Sequence, residues 1–373
     1  MAKRLTHWTI LLYLAALPMM AQVITETKED EEEEEDEEDY GQVEYLGKPT
    51  KTYANARIFG LSPQRFVSLG WDVQLPYEMR FTELGTYSTD STDLNFDAEK
   101  GLANYTGGFR LQLMTPVISN NRFLWQSMLN MWDVQYTARK RSHESWRDSL
   151  MHLTDTLNKY GLKTANWVNT FYVPFDDKNF IIAQLQLDLS GNYDWLNPLE
   201  GQLLYSGAIL YGQRPNDRKQ WAVGLSRTYR AGGMNYIPLL LYNWTSLSRK
   251  WGIEFLLPAR GHGRYTFNPR SMLLFGYELE GSSYRIRQFS NDEVNFLIRR
   301  GELRFRLDYQ RQIAGFWWLG LQAGYRVMYS FDGDRLEKGQ PDFFNLLRTH
   351  PYAMRNQTDG TFYFNISINY VSP

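Results

Sequence analysis

The feature that most limits the fold of this chain is an alternation of apolar and polar residues with a period of two. The stretch Thr361–Val371 reads TFYFNISINYV. Large apolar residues occupy every second position from Phe362 to Tyr370, and mostly small polar residues stand between them. Because successive side chains of a β-strand point to opposite faces, this pattern predicts one strand with an apolar face and a polar face.

The same alternation recurs from about Arg65 onward, for example over residues 67–75 and 317–329. We predict fourteen strands, with twelve as the alternative count, over residues 65–75, 104–115, 122–136, 166–175, 179–190, 202–213, 219–229, 236–245, 250–257, 262–268, 271–287, 294–309, 313–330 and 359–371. An even number of long amphipathic strands is typical of an all-β, antiparallel transmembrane β-barrel.

The connections between the predicted strands differ in length on the two sides. Those after odd-numbered strands include 76–103, 137–165 and 331–358, whereas those after even-numbered strands are brief, such as DDK from Asp176 and RQI from Arg311. Outer-membrane barrels have short periplasmic turns and longer outer loops, so this asymmetry favours such a barrel. A secreted β-sandwich is the alternative, but its strands would be shorter, with turn signals every eight to twelve residues.

The start of the sequence predicts export. Residues 1–21 have a basic beginning, a short apolar run and Ala21 at the expected cleavage site, which is the order of a secretory signal peptide. No later segment has enough consecutive apolar residues for a transmembrane helix. The sequence contains no cysteine, which excludes disulfides, thiolate metal sites and a cysteine nucleophile. These features predict a cleaved signal peptide and a multi-pass protein of the outer membrane.

Two further segments precede the predicted barrel at 65–373. Residues 22–40 contain the acidic block ETKEDEEEEEDEED, which cannot bury itself and is predicted to be disordered. This block is either a solvated spacer or a docking tail for a protein partner with a basic surface. Residues 41–64 are predicted to form a periplasmic or plug segment.

Several stretches are similar to a known family. They are LPAR at 257–260, YELEG at 277–281, WWLGLQAGYR at 317–326, the alternating last strand and the signal that ends at Ala21 and Gln22. In these stretches the chain resembles the uncharacterised outer-membrane β-barrel proteins common in Bacteroidetes, over most of its length from about Phe66. The resemblance implies an outer-membrane location and a barrel architecture, and it implies no particular activity.

One segment breaks the strand pattern. Apolar residues recur at spacings of four and three within 142–160, which predicts a helix with one apolar stripe. Gly161 is a suitable residue just beyond its C-terminal end. The helix is either a loop element packed on the barrel mouth or a gating or partner-binding helix.

The sequence offers few residues for catalysis. The histidines after the signal peptide are not spaced with carboxylates for metal binding. An outer-membrane lipase would need a serine and a histidine on the outside of the barrel near the membrane boundary, and the sequence does not place His262 or His350 there. We therefore predict no enzyme, no catalytic residue, no metal site, no cofactor and no nucleic-acid partner, and a lipase is the third and least favoured function.

A closed barrel of about fourteen strands encloses more space than an eight-stranded barrel, whose own side chains fill it. The polar side chains predicted to line this lumen are Asp72, Arg110, Gln112, Gln184, Gln186, Asp188, Glu254, Arg304, Arg306, Asp308, Gln322 and Arg326. The cationic ones cluster on the twelfth and thirteenth predicted strands. There they either favour anionic or polar solutes or brace the wall through ion pairs.

The favoured function is a porin-like barrel in membrane lipid, a channel or transporter that passes or binds a small solute. The alternative is a non-transporting barrel that serves as a structural or assembly partner in an outer-membrane complex. In that case the acidic segment and the predicted helix would be the docking elements.

Overall fold

The computed structural model describes residues 58–81, 99–120, 122–140, 153–196, 202–228, 235–286, 296–335 and 356–371. The elements in these ranges are β1 (Arg65–Gln74), β2 (Tyr77–Phe81), β3 (Glu99–Ser119), β4 (Leu124–Lys140), α1 (Leu153–Tyr160), β5 (Leu162–Pro174), β6 (Asn179–Gly191), β7 (Gln202–Asn216), β8 (Lys219–Thr228), β9 (Asn235–Thr245), β10 (Trp251–Leu257), β11 (Arg260–Asn268), β12 (Ser271–Ile286), β13 (Phe296–Ala314), β14 (Trp317–Arg335), β15 (Asn356–Thr358) and β16 (Thr361–Val371). No helix within these ranges has the length and hydropathy of a membrane span.

The strands form one closed antiparallel barrel. From β3 to β14 each strand pairs with its neighbours in the sequence, and β16 pairs with both β14 and β1. β1 also pairs with β3, which closes the barrel. β2 continues β1 after Leu75 and Pro76, and β15 precedes β16 in the same way, so the sixteen segments make fourteen strands. The predicted fourteen-stranded antiparallel barrel is confirmed.

The alternation in the sequence separates the outer face of the barrel from the inner face. On β16 the apolar residues Phe362, Phe364, Ile366 and Ile368 expose 49–57% of their surface. Tyr363 and Asn369, from the set between them, point inward and are buried. On β16, apolar side chains therefore cover the outside, while Tyr363 and the polar residues face the inside.

The two faces exchange character towards the long connections. On β2, Tyr77, Met79 and Phe81 point inward and are buried, whereas Glu78 and Arg80 point outward with side chains about 40% exposed. The band of outward apolar side chains, here named the apolar belt, therefore ends on the side of β2 that is nearer to the short turns. The strand prediction followed that belt, so it left β2 in a loop and began the next strand at 104, although β3 begins at Glu99.

An apolar cluster, here named the apolar cap, fills the interior at the end with the long connections. Its buried members are Tyr77, Met79, Phe81, Ala103, Val134, Tyr136, Ala138, Leu153, Leu157, Leu162, Tyr284, Ile286, Phe296, Ile298 and Phe331. They come from helix α1 and from strands on several sides of the barrel. Side chains thus meet across the interior at this end.

Helix α1 confirms the predicted short helix, of which residues 142–152 lie outside the described ranges. Asn158 attaches it to β4, since its Nδ2 donates to Ala138 O at 2.9 Å and its Oδ1 accepts from Ala138 N at 2.7 Å. Gly161 follows the helix with a φ of +63°, and a Cβ there would lie 2.4 Å from Val134 O. Both the backbone conformation and the close approach require glycine at this position.

One predicted turn is in the wrong place. The prediction put a turn at RQI from Arg311, whereas β13 continues to Ala314 and the turn consists of Gly315 and Phe316. Gly315 has a φ of +50°, which glycine adopts at little cost. Arg311 instead pairs with Leu319 on β14. The polar stretch is part of the strand, and the glycine after it marks the turn.

The predicted signal peptide at 1–21 and the acidic segment at 22–40 lie outside the described residues. Of the segment 41–64, the structure describes 58–64.

Candidate functional site: the barrel interior

A row of polar side chains crosses six neighbouring strands on the inner face of the barrel. The strand register places opposite one another, in order from β16 to β6, Asn369, Ser68, Gln112, Asn130, Asn166 and Asp188. Ser68 Oγ donates a hydrogen bond to Asn369 Oδ1 at 2.6 Å, and Asn130 Nδ2 donates one to Asn166 Oδ1 at 2.7 Å. We name this row the polar ladder.

The polar ladder faces open space in the barrel interior that is wide enough for water. Several amide side chains on this inner wall are partly exposed although they point inward, namely Gln112, Asn130, Asn166, Gln186 and Asn243. A side chain on the inner face of a closed barrel is exposed only towards the interior. Amide groups both donate and accept hydrogen bonds, so this wall can bind polar groups of many kinds.

A layer of ion pairs lies beside the polar ladder, on the side of the apolar cap. We name it the ion-pair layer, and its members are Asp72, Arg110, Glu280, Arg300, Glu302, Arg304 and Arg326. Asp72 Oδ2 accepts from Arg304 Nη2 at 2.7 Å and from Arg110 Nη2 at 3.0 Å. One carboxylate on β1 therefore holds arginines from two different strands.

Some contacts in this layer cross the barrel. Arg110 on β3 donates from Nη1 and Nη2 to the two carboxylate oxygens of Glu280 on β12, both at 2.8 Å. β3 and β12 are not neighbours in the sheet. The ring centroid of Trp132 on β4 lies 3.9 Å from the guanidinium carbon of Arg110 and 4.7 Å from that of Arg300. These contacts brace strands that do not pair with each other through backbone hydrogen bonds.

Opposite walls also meet nearer the long connections. Thr164 on β5 hydrogen-bonds to the hydroxyl of Tyr284 on β12 at 3.2 Å. The hydroxyls of Ser190 on β6 and Ser282 on β12 lie 2.7 Å apart. β5 and β6 are about half the barrel circumference away from β12. These hydrogen bonds join opposite walls, so side chains divide the interior at the end with the long connections.

Residues 58–64 cross the interior at the end with the short turns. Phe59 N donates to Asp217 O, in the turn between β7 and β8, at 2.8 Å. Ser62 donates from its N and Oγ to Glu254 Oε1 on β10 at 2.9 and 2.8 Å. The segment then joins β1, which lies on the other side of the barrel.

Eight of the twelve predicted lumen residues belong to three parts of the interior. Asp72, Arg110, Arg304 and Arg326 are in the ion-pair layer, Gln112 and Asp188 are in the polar ladder, and Gln184 and Gln186 extend the polar wall along β6. The other four make local bonds: Glu254 with Arg264 at 3.1 Å, Arg306 with Glu278 at 2.6 Å, Asp308 with Arg65 at 3.2 Å, and Gln322 with Tyr363 OH at 2.9 Å.

The sequence reasoning missed acidic partners of these arginines. Glu280 and Glu302 occupy inward positions that the alternation already marks, and Glu280 stands within the YELEG stretch. Glu280 was missed because the prediction named no lumen residue on β12, and Glu302 was missed although Arg304 and Arg306 on the same strand, β13, were named. Contacts between strands that are far apart around the barrel have no signature in a single sequence.

The histidine in the described ranges lies inside the barrel. His262 on β11 is 4% exposed and stands opposite Glu254 in the sheet register. It is therefore not on the outer surface, where a lipase acting on membrane lipid would need it. His143, His152 and His350 lie outside the described residues. Within those residues no group of three or more acidic or histidine side chains could hold a metal ion.

Comparisons with known proteins give remote likenesses. No family model and no curated protein matches the chain. Among solved structures, the chain is similar to a KdgM porin in complex with disordered oligogalacturonate, at 8% identity and a TM-score of 0.30, with 82% of this chain and 99% of that chain covered. It is also similar to an outer-membrane channel from Pseudomonas putida F1, at 13% identity, a TM-score of 0.33 and coverages of 84% and 97%. A third similar structure is the P. putida toluene transporter TodX, at 8% identity and a TM-score of 0.34, with 84% of this chain and 91% of that chain covered.

Proposed function

We propose that the protein is an integral outer-membrane β-barrel whose interior binds or passes a small polar solute. The observation that carries this proposal is the combination of an exposed apolar belt outside with an accessible polar wall inside. A protein in water rarely exposes a contiguous apolar surface of this extent, whereas a barrel in lipid requires one.

The outer surface of β14 supports the membrane assignment. Every outward residue from Trp317 to Tyr329 is apolar or aromatic. This stretch is roughly 40 Å long at about 3.3 Å per residue, and a strand tilt of about 40° reduces it to roughly 30 Å along the barrel axis. Its ends carry aromatic residues, and Trp317 also packs on Tyr370 with ring centroids 5.3 Å apart. An apolar band of about 25 Å between aromatic girdles is what outer-membrane barrels present to lipid.

The paired charges of the interior limit the class of solute. Arg304, Arg306 and Asp308 all bind oppositely charged side chains. The polar groups of the interior wall that take no part in ion pairs are therefore mainly the amide and hydroxyl groups of the polar ladder and of β6. Such a wall matches an uncharged solute with several hydroxyl or amide groups, because each of these groups can both donate and accept hydrogen bonds.

Adjacent single cysteines on β6 test the two faces of the wall. In the otherwise cysteine-free chain, Gln186→Cys is expected to react with a charged, water-soluble maleimide in proteoliposomes, because position 186 faces the accessible interior. Leu185→Cys is the matched control, since Leu185 is 60% exposed on the outer face. It is expected to resist that reagent and to react with a lipid-soluble one. Equal labelling of both positions by the water-soluble reagent would contradict the proposal.

A non-transporting barrel is the second candidate, and the contacts at both ends of the interior favour it. Side chains meet in the apolar cap at one end, and residues 58–64 cross the other end. Such a barrel could serve as a structural partner in an outer-membrane complex.

Conductance in planar bilayers distinguishes the two candidates. If the interior passes solutes, deletion of residues 22–64 is expected to increase the conductance, because the hydrogen bonds of Ser62 to Glu254 would no longer hold a segment across the interior. Deletion of residues 22–40 alone is the control and is expected to leave the conductance unchanged. Absence of channel events in the full chain and in both deletion variants would favour the non-transporting barrel.

A further inference from the structure

An outward arginine stands at the edge of the apolar belt. On the outer face of β13, Leu307, Tyr309 and Arg311 follow one another towards the short turns. Leu307 is 55% exposed. Arg311 pairs with Leu319 on β14, two residues inside the apolar stretch that begins at Trp317. A cation on the lipid face of a barrel is unfavourable unless water or an anion accompanies its charge.

The barrel wall has a step beside Arg311. Ser271 is the first residue of β12 and pairs with Arg311, so β13 extends beyond β12 from Gln312 to Ala314. The turn between β11 and β12 ends against this overhang, where Gln312 N donates to Arg270 O at 2.8 Å. The step forms an open cavity of about 880 Å³. Its lining includes Phe267, Arg270, Ser271, Tyr309, Arg311 and Ile313.

Two positive charges line this cavity. Arg270 and Arg311 are both exposed, and neither forms an ion pair within the described part of the chain. Among the described residues, the lining of the cavity contains no acidic side chain. A guanidinium group offers several N–H donors in one plane, an arrangement that matches the oxygens of a phosphate group. The cavity therefore suits a ligand that carries a phosphate or a similar anion.

The cavity also has an apolar side. Phe267 and Ile313 are 51% and 62% exposed. The ring centroid of Phe267 lies 6.3 Å from that of Tyr309 and 5.0 Å from that of Tyr265, which in turn lies 4.7 Å from Trp251. These four rings, here named the aromatic row, continue across the outer face from β13 to β10. Aromatic rows of this kind occur where a barrel meets the membrane interface.

We propose that the cavity binds a phospholipid with an anionic headgroup, with its phosphate on Arg270 and Arg311 and its acyl chains along the aromatic row. The proposal rests on the proposed membrane location of the barrel and on nothing in its interior. The cavity lies at the end with the short turns, which faces the periplasm in such a barrel. A soluble anion would bind the arginines and leave Phe267 and Ile313 uncovered, whereas a lipid covers both. Basic pockets at a membrane surface are typical sites for anionic headgroups.

Quenching by lipids with brominated acyl chains tests the site in vesicles. A fluorophore is attached to Ile313→Cys, at the rim of the cavity, in the full chain. Leu69→Cys is the matched position, because Leu69 is 44% exposed on the outer face of β1 and away from the cavity. Since one basic residue near anionic lipid changes association by about fivefold, brominated phosphatidylglycerol should quench at 313 at a roughly tenfold lower mole fraction than brominated phosphatidylethanolamine. At 69 the two lipids should quench alike.

Charge variants assign the selectivity to the two arginines. Arg270→Gln combined with Arg311→Gln should reduce the preference at 313 to that at 69. Arg122→Gln combined with Lys178→Gln removes the same charge from exposed short turns elsewhere and should retain the preference. A preference that survives the loss of both cavity arginines would overturn the site.

The comparison of the two lipids is decisive without the charge variants. Equal quenching by both lipids at 313 would overturn the lipid site and leave the membrane barrel intact. No quenching by either lipid at 313 and at 69 would contradict the membrane location as well. A preference that appears only after deletion of residues 22–40 would show that the acidic segment covers the cavity in the full chain, and it would also overturn the proposal.

Discussion

Replacement of Leu321 with arginine is expected to lower the free energy of unfolding of the barrel in lipid by about 2–4 kcal/mol. Leu321 is 43% exposed on the outer face of β14, within the apolar stretch between Trp317 and Tyr329. In the proposed membrane-spanning barrel, the guanidinium at this depth would lie in hydrocarbon with no water or carboxylate to bind. Urea unfolding of the barrel inserted in vesicles, followed by tryptophan fluorescence, measures the change.

The adjacent residue gives the matched control. Gln322 points inward, donates to Tyr363 OH at 2.9 Å and stands opposite Asp308 in the sheet register. An arginine at 322 could therefore bind Asp308, and we expect Gln322→Arg to cost much less than Leu321→Arg. A soluble sandwich with Leu321 in its core would give the same order, so a membrane-specific measurement is needed. A lipid-phase quencher should dim a fluorophore on Cys at 321 more than one at 322, and equal quenching would contradict the lipid-facing assignment.

Much of the fold could be predicted because the barrel has one simple rule. Outward and inward residues alternate along every strand, and the outward set is apolar wherever the belt runs, as in β16. The rule fails at β2, where Tyr77 and Met79 point inward and Glu78 points outward. At β2 the outward apolar band has ended, so these apolar residues turn inward and form part of the apolar cap. In β2 the alternation continues, but its apolar residues are on the inner face. A sequence alone does not show this change, because it does not show where along the barrel axis each residue lies.

The candidate site was only partly predictable for a different reason. Alternation identifies inward positions, and it therefore found Asp72 and Arg304 individually. It does not give the register between strands, which sets Gln112 opposite Asn130 and creates the polar ladder. Nor does it give the barrel diameter, which determines that Arg110 reaches Glu280 across the interior. Whether an interior arginine meets solvent or a carboxylate depends on these two quantities.

Replacement of Asp72 with alanine is expected to be the most destabilising change in the ion-pair layer. Asp72 is 2% exposed and accepts hydrogen bonds from Arg304 and Arg110. Without Asp72, the fully buried Arg304 keeps a hydrogen bond to one carboxylate among the described residues, that of Glu280. Removing one partner of a buried ion pair costs about 3–5 kcal/mol. Urea unfolding in vesicles and the mobility shift between boiled and unboiled samples on gels would both report the loss.

Two comparisons separate this buried network from ordinary surface charge. Glu78→Gln removes a carboxylate that lies 3.9 Å from Arg80 on the outer face, with both side chains about 40% exposed, and should cost less than about 1 kcal/mol. The double variant Asp72→Ala, Arg304→Met should be more stable than Asp72→Ala alone, because it removes the cation that the first change leaves buried and underpaired. If the two changes were simply additive, Arg304 would not depend on Asp72, and the bracing role assigned to this layer would be wrong.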